Sequence, residues 1–201
     1  MASSTNKVRF GASRVVYAIE TDGVIADTWS DLAGAVQISF SPQNSSNTFY
    51  ADNMGYYMTS GAASDEFSIE LADMTDQAKR DILGYIVDEV SGLSIEPVNA
   101  EHKTFAMGYQ VEGDGNVLRG IKYGCTLNRP SEEHNTTTDS TDPDTLTLEG
   151  AAIGKTFTVA GEPIPVLGGY CTNAGDTHAA FDGFYLAPPQ PGAAAATPPT
   201  P

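Results

Sequence analysis

The chain has 201 residues, is 40% hydrophobic and 18% charged, and carries a formal net charge of −16 with a pI near 4.2. That length supports one domain with a real core, and that acidity disfavours a nucleic-acid reader, which sets Lys and Arg against phosphate. No apolar run approaches the ~20 residues of a membrane helix, and residues 1–10 lack the apolar stretch of an export signal.

Along the chain, short runs of β-branched and aromatic residues alternate with Gly, Asp, Asn and Pro, which predicts strands and turns. Residues 14–20 read as a strand closed by the turn Thr21-Asp22-Gly23. Residues 36–40 and 67–71 alternate apolar and polar with period two, so each has one core face. Gln77 to Leu83 reads as a helix, capped by Thr75 or Asp76 and stopped by Gly84, with Ala78 and Ile82 on its apolar side. Residues 104–127 read as a long hairpin turning at 112–116. Strict alternation places Val117, Arg119, Ile121, Tyr123 and Cys125 on one side of it. Further strands are predicted at 145–148 and 155–159.

The expected class is mainly β, a β-sandwich or half-barrel with one short α-helix. Residues 1–187 form the expected domain. Within it, 131–144 is an acidic, Ser/Thr-rich exposed loop. Residues 188–201 are a Pro/Ala-rich tail, expected to stay extended and free unless bound.

Signatures of chemistry are missing. His102, His134 and His178 are scattered, and Glu132-Glu133-His134 sits in a polar loop where a solvated charge run is the simpler reading. Asp114-Gly115-Asn116 lacks the remaining ligands of a calcium loop. Cys125 and Cys171 read as isolated small hydrophobes. No nucleophile-elbow, phosphate-loop or dinucleotide pattern is present. The expectation is a protein that is not an enzyme and takes no cofactor or metal.

An ordered set of segments resembles the phi13 type of phage major tail proteins. It runs from Lys7-Val8-Arg9-Phe10-Gly11 through residues 34–42, ending Ser41-Pro42, to Phe49-Tyr50-Ala51-Asp52-Asn53 and Tyr56-Tyr57. It continues through 67–71, Asp81-Ile82-Leu83-Gly84, 123–131 and 145–148. Phe181-Asp182-Gly183-Phe184-Tyr185 is a fainter echo. The resemblance implies a tail-tube fold that forms a β-barrel on oligomerisation: a virion protein of long non-contractile tails, assembled in the bacterial host cytoplasm. Its copies would join into hexameric rings stacked as a conduit for DNA ejection. It implies as partners the protein itself and the tape measure, tail terminator and baseplate proteins, with viral DNA passing unbound and no membrane involved.

In that reading the hairpin 104–127 lines the bore, and Phe49, Tyr50, Asp52, Asn53, Tyr56 and Tyr57 form the subunit or ring interface. The same aromatics also fit an ordinary core hairpin. Rival classes are an Hcp-like ring of a related secretion tube, a carbohydrate-binding β-sandwich, and an enzyme with a dispersed site.

Overall fold

The computed structural model describes residues 8–43, 46–51, 54–60, 63–113, 116–131, 144–173 and 175–197. The chain is mainly β. It begins with β1 (Arg9–Thr21), β2 (Val24–Ile25), β3 (Ser30–Leu32), β4 (Ala35–Gln43), β5 (Ser46–Ala51), β6 (Met54–Ser60) and β7 (Ser64–Leu71), followed by α1 (Asp76–Leu83). It continues with β8 (Ile86–Val87), β9 (Ser94–Ile95), β10 (Phe105–Gly113), β11 (Leu118–Leu127), β12 (Leu146–Ala152), β13 (Lys155–Val159), β14 (Glu162–Val166) and β15 (Gly168–Thr172), and ends in α2 (His178–Gly183).

The main sheet has nine strands, with a path β2-β1-β10-β11-β12-β7-β4, β15 beside β11 and β3 beside β1. Every pairing is antiparallel. The far strand β4 comes back alongside β1, so the sheet curls into a half-barrel. Its concave side holds the first core, including Tyr17, Ile69, Phe105, Met107, Cys125 and Leu148. Strand β7 shows why: Asp65, Phe67, Ile69 and Leu71 alternate inward, as period two requires.

Helix α1 covers this core with Ala78, Ile82 and Leu83. The Thr75 hydroxyl caps it by accepting from Ala78 N–H at 3.2 Å, and Gly84 ends it at φ 74°. The predicted helix is therefore present with its predicted caps. A second helix, α2, was not expected. Its N-terminal Thr177 makes no side-chain cap, because that hydroxyl accepts from Thr172 N–H at 3.0 Å instead.

Strict alternation along β11 fails at Gly124. Phe105 pairs with Cys125 while Met107 pairs with Lys122, so β11 carries an extra residue there, and Gly124 takes φ 62°. The bulge turns Cys125 into the first core, whereas Ile121 and Tyr123 face a second. It also lets β11 change partner, from β15 over 118–122 to β12 over 125–127.

The second core lies on the opposite face of β1, β10 and β11. Ala106, Ile121, Tyr123, Phe157, Cys171 and Phe184 form it, under the β13–β14 ribbon and α2. The hairpin β10–β11 is thus buried on both faces over Phe105–Gly108 and at Ile121, Tyr123 and Cys125. Those residues face no bore, which corrects the expectation for the base of the hairpin. The tail expectation is corrected too. Pro188 is buried, the Tyr123 hydroxyl donates to the Pro189 carbonyl at 2.6 Å, and Gly183 abuts the Ala196 carbonyl. Pro and Ala side chains lose little rotamer entropy on burial, and the segment turns at Gln190–Ala193, where Ala193 N–H donates to the Gln190 carbonyl at 3.1 Å, so residues 188–197 lie on the body.

Candidate assembly surfaces

The aromatics singled out in the sequence fall on the ribbon β5–β6. In the chain it follows β4 and precedes β7, whose pairing reaches Gln43 opposite Ser64, and it forms a separate two-stranded sheet that opens with Ser46 opposite Ser60. Phe49 pairs with Tyr57 and Tyr50 with Gly55 in the backbone register, and Tyr56 is the neighbouring residue on β6. Asp52 and Asn53 lie outside the described residues, as do 132–143 of the acidic loop. Among the described residues the ribbon joins no further strand. Two strands alone are marginal in water.

Sheet edges are the second surface. At the two ends of β15, Tyr123 N–H of β11 donates to Leu167 C=O and Asn173 N–H donates to Val117 C=O. The register then turns residues 169 and 171 toward β11, and 168 and 170 outward. The outward side of Gly168 and Tyr170 meets no described strand, and Tyr170 is 70% exposed. Strand β14 is different. Its Pro163 and Pro165 have no N–H to offer, so that edge is blunted against further pairing.

A third surface is the hairpin β8–β9, absent from the sequence reading because each strand has only two residues. Its turn is well built. Asp88 N–H donates to Leu93 C=O at 2.9 Å, and the Asp88 carboxylate accepts from Val90 N–H at 3.1 Å and Ser91 N–H at 3.2 Å. The Ser91 hydroxyl and these amides hold that carboxyl below its ordinary pKa. Arg129 pairs with Glu96 at 2.6 Å and ties the hairpin's base to the end of β11.

A cavity of about 380 Å³ lies between β11, β15, α2 and residues 187–196, walled by Ile121, Phe184, prolines and alanines, with Asp27 as its one carboxylate. Among the described residues no cluster of His, Cys, Asp or Glu has the makings of a metal site. No described helix is long and apolar enough to cross a membrane. Arg119 stacks on Phe181 at 3.8 Å, which fastens α2 to the sheet, and Arg14 stacks on Tyr185, just beyond the helix, at 3.8 Å. Trp29 is stacked on Phe184 at 5.7 Å and its Nε1–H donates to the Phe184 carbonyl at 2.6 Å, so its ring is committed internally. Neither protein-family models nor curated proteins match the chain.

Proposed function

We propose that this protein is a structural subunit that assembles with copies of itself into stacked rings, forming the tube of a phage tail. The observation that carries the reading is the contrast between edges. Strand β14 is blunted by prolines, while among the described residues the outward side of β15 and the ribbon β5–β6 meet no further strand. Open edges attract aggregation, and closed assemblies remove them. The net charge of −16 supports passage of DNA past a wall that offers few phosphate contacts. The commitment of Trp29 to Phe184 speaks against a sugar-stacking platform.

The test is negative-stain microscopy and light scattering of the purified protein after concentration. Rings or hollow tubes are the expected result, with no measurable affinity for duplex DNA at moderate salt. A monodisperse monomer at high concentration, or tight DNA binding, overturns the proposal.

A further inference from the structure

Residues 188–197 carry no charge, so packing and hydrogen bonds alone hold them on the body. They form a strap over the second core. It meets β11 where Tyr123 donates to the Pro189 carbonyl, β13 where Gly192 lies against the Thr158 carbonyl, and α2 where Ala196 lies against Gly183. Two of these approaches require glycine. A Cβ on Gly183 would stand 2.0 Å from the Ala196 carbonyl, and one on Gly192, at φ 83°, 2.1 Å from the Thr158 carbonyl. The strap therefore has one defined seat.

It is held lightly in that seat. Pro188, Pro189 and Pro191 have no N–H to give, and the strap pairs with no strand among the described residues. The Tyr123 hydroxyl, 2.6 Å from the Pro189 carbonyl, is the described hydrogen bond that joins it to the sheet. The cavity of about 380 Å³ lies between the strap and Ile121, Cys171 and Phe184. Protein interiors normally pack solid, and a gap forfeits the attraction of atoms on one side. Release of the strap breaks few contacts and leaves every ladder of the sheet intact, which places it at the low-stability end of the fold.

The same cavity is walled by Gly169 and Tyr170 of β15. The outward amides of that strand, at 168 and 170, meet no described strand. A strand added there sets every second side chain on the face where the strap lies. The seated strap and an incoming strand thus compete for one space.

We propose that the strap 188–197 is an autoinhibitory latch. Seated, it restrains pairing at β15 in the single copy; released, it makes room for the strand of a neighbouring copy. The inference rests on the self-assembly reading above and adds the step that controls it.

The test combines elastase cleavage, which follows alanine, with light scattering on the full chain. Gly192→Ala alters the strap alone, and Tyr123→Phe keeps the ring but removes the donor. With far-UV dichroism unchanged, each is expected to speed cleavage within 188–197 by about fivefold or more. Each is also expected to lower the concentration at which copies assemble by a similar factor. If Tyr123→Phe loses dichroism, Gly192→Ala decides. Faster cleavage with an unchanged or higher assembly threshold overturns the latch and leaves the self-assembly reading intact. Cleavage no faster than in wild type overturns the seat of the strap, and the latch with it. Wild type and variants that all stay monomeric at high concentration overturn the self-assembly reading as well.

Discussion

Replacing Lys122 by methionine strips the counter-charge from Asp65, a carboxylate only 5% exposed. The pair reaches across β12 to tie β11 to the start of β7, at the root of the ribbon β5–β6. The Lys122 cation also lies 5.2 Å from the Phe40 ring, a contact whose packing methionine largely keeps. Breaking one partner of a buried pair costs about 3–5 kcal/mol. Because the Lys122 side chain keeps 19% exposure, the lower figure, about 3 kcal/mol, is expected. At roughly 2–4 °C per kcal/mol, Tm falls by about 6–12 °C. Removing both charges with apolar side chains, Lys122→Met with Asp65→Leu, is expected to return stability to within about 1 kcal/mol of wild type. Urea unfolding followed by Trp29 fluorescence and circular dichroism measures all the variants at constant m. A single variant that costs less than about 1 kcal/mol, or a double variant equal to the sum of its singles, refutes the reasoning.

Other substitutions probe the frame that holds the surfaces. Gly84→Ala places a Cβ at φ 74° and 2.8 Å from the Glu101 carbonyl, and is expected to destabilise by at least about 1 kcal/mol in urea titration. Gly183→Val drives a side chain into the Ala196 carbonyl, so limited proteolysis within residues 188–197 is expected to accelerate with little change in far-UV dichroism. Alkali is expected to unfold the protein progressively. Burial raises the Cys125 thiol to about 12 and the Cys171 thiol to about 11, and burial with the Asp81 hydrogen bond raises the Tyr17 phenol to about 12. The folded state therefore holds protons that the unfolded state releases. Stability is whole below about pH 9 and falls from there through about pH 12, and Tyr17→Phe is expected to flatten the decline above pH 10.

Local chemistry made much of the fold legible in the sequence. Thr75 and Gly84 bracket α1 because a hydroxyl acceptor and a left-handed residue satisfy helix ends without tertiary help. The inward set of β7 follows from period two alone. What stayed hidden depends on distant partners. The bulge at Gly124 has meaning only once β11 serves β15 and β12 in turn. Helix α2 lacks a cap signal and is held by stacking of its Phe181 on Arg119 of β11. The β8–β9 hairpin has strands of two residues, too short for any periodicity, and its sign in the sequence was a run of aliphatics broken by Asp88 and Gly92. Of the aromatic set, Phe49, Tyr50, Tyr56 and Tyr57 do share one ribbon in the backbone.

An open edge is an argument about individual N–H groups, so it can be tested at one of them. On β15 the register turns Cys171 and Gly169 toward β11 and Tyr170 outward. Tyr170→Pro removes an amide that the monomer does not use, and proline is tolerated on an edge strand when its nitrogen faces away from the ladder. The monomer's urea midpoint is therefore expected to change little. Assembly is expected to fail, because a neighbouring strand loses its donor there, as at Pro163 and Pro165 on β14. Tyr170→Val discards the same ring but keeps the amide, and is expected to assemble. If the proline and valine variants assemble alike, the β15 edge does not join copies. If the proline variant alone stays small while folded, the backbone of β15 is the lateral seam.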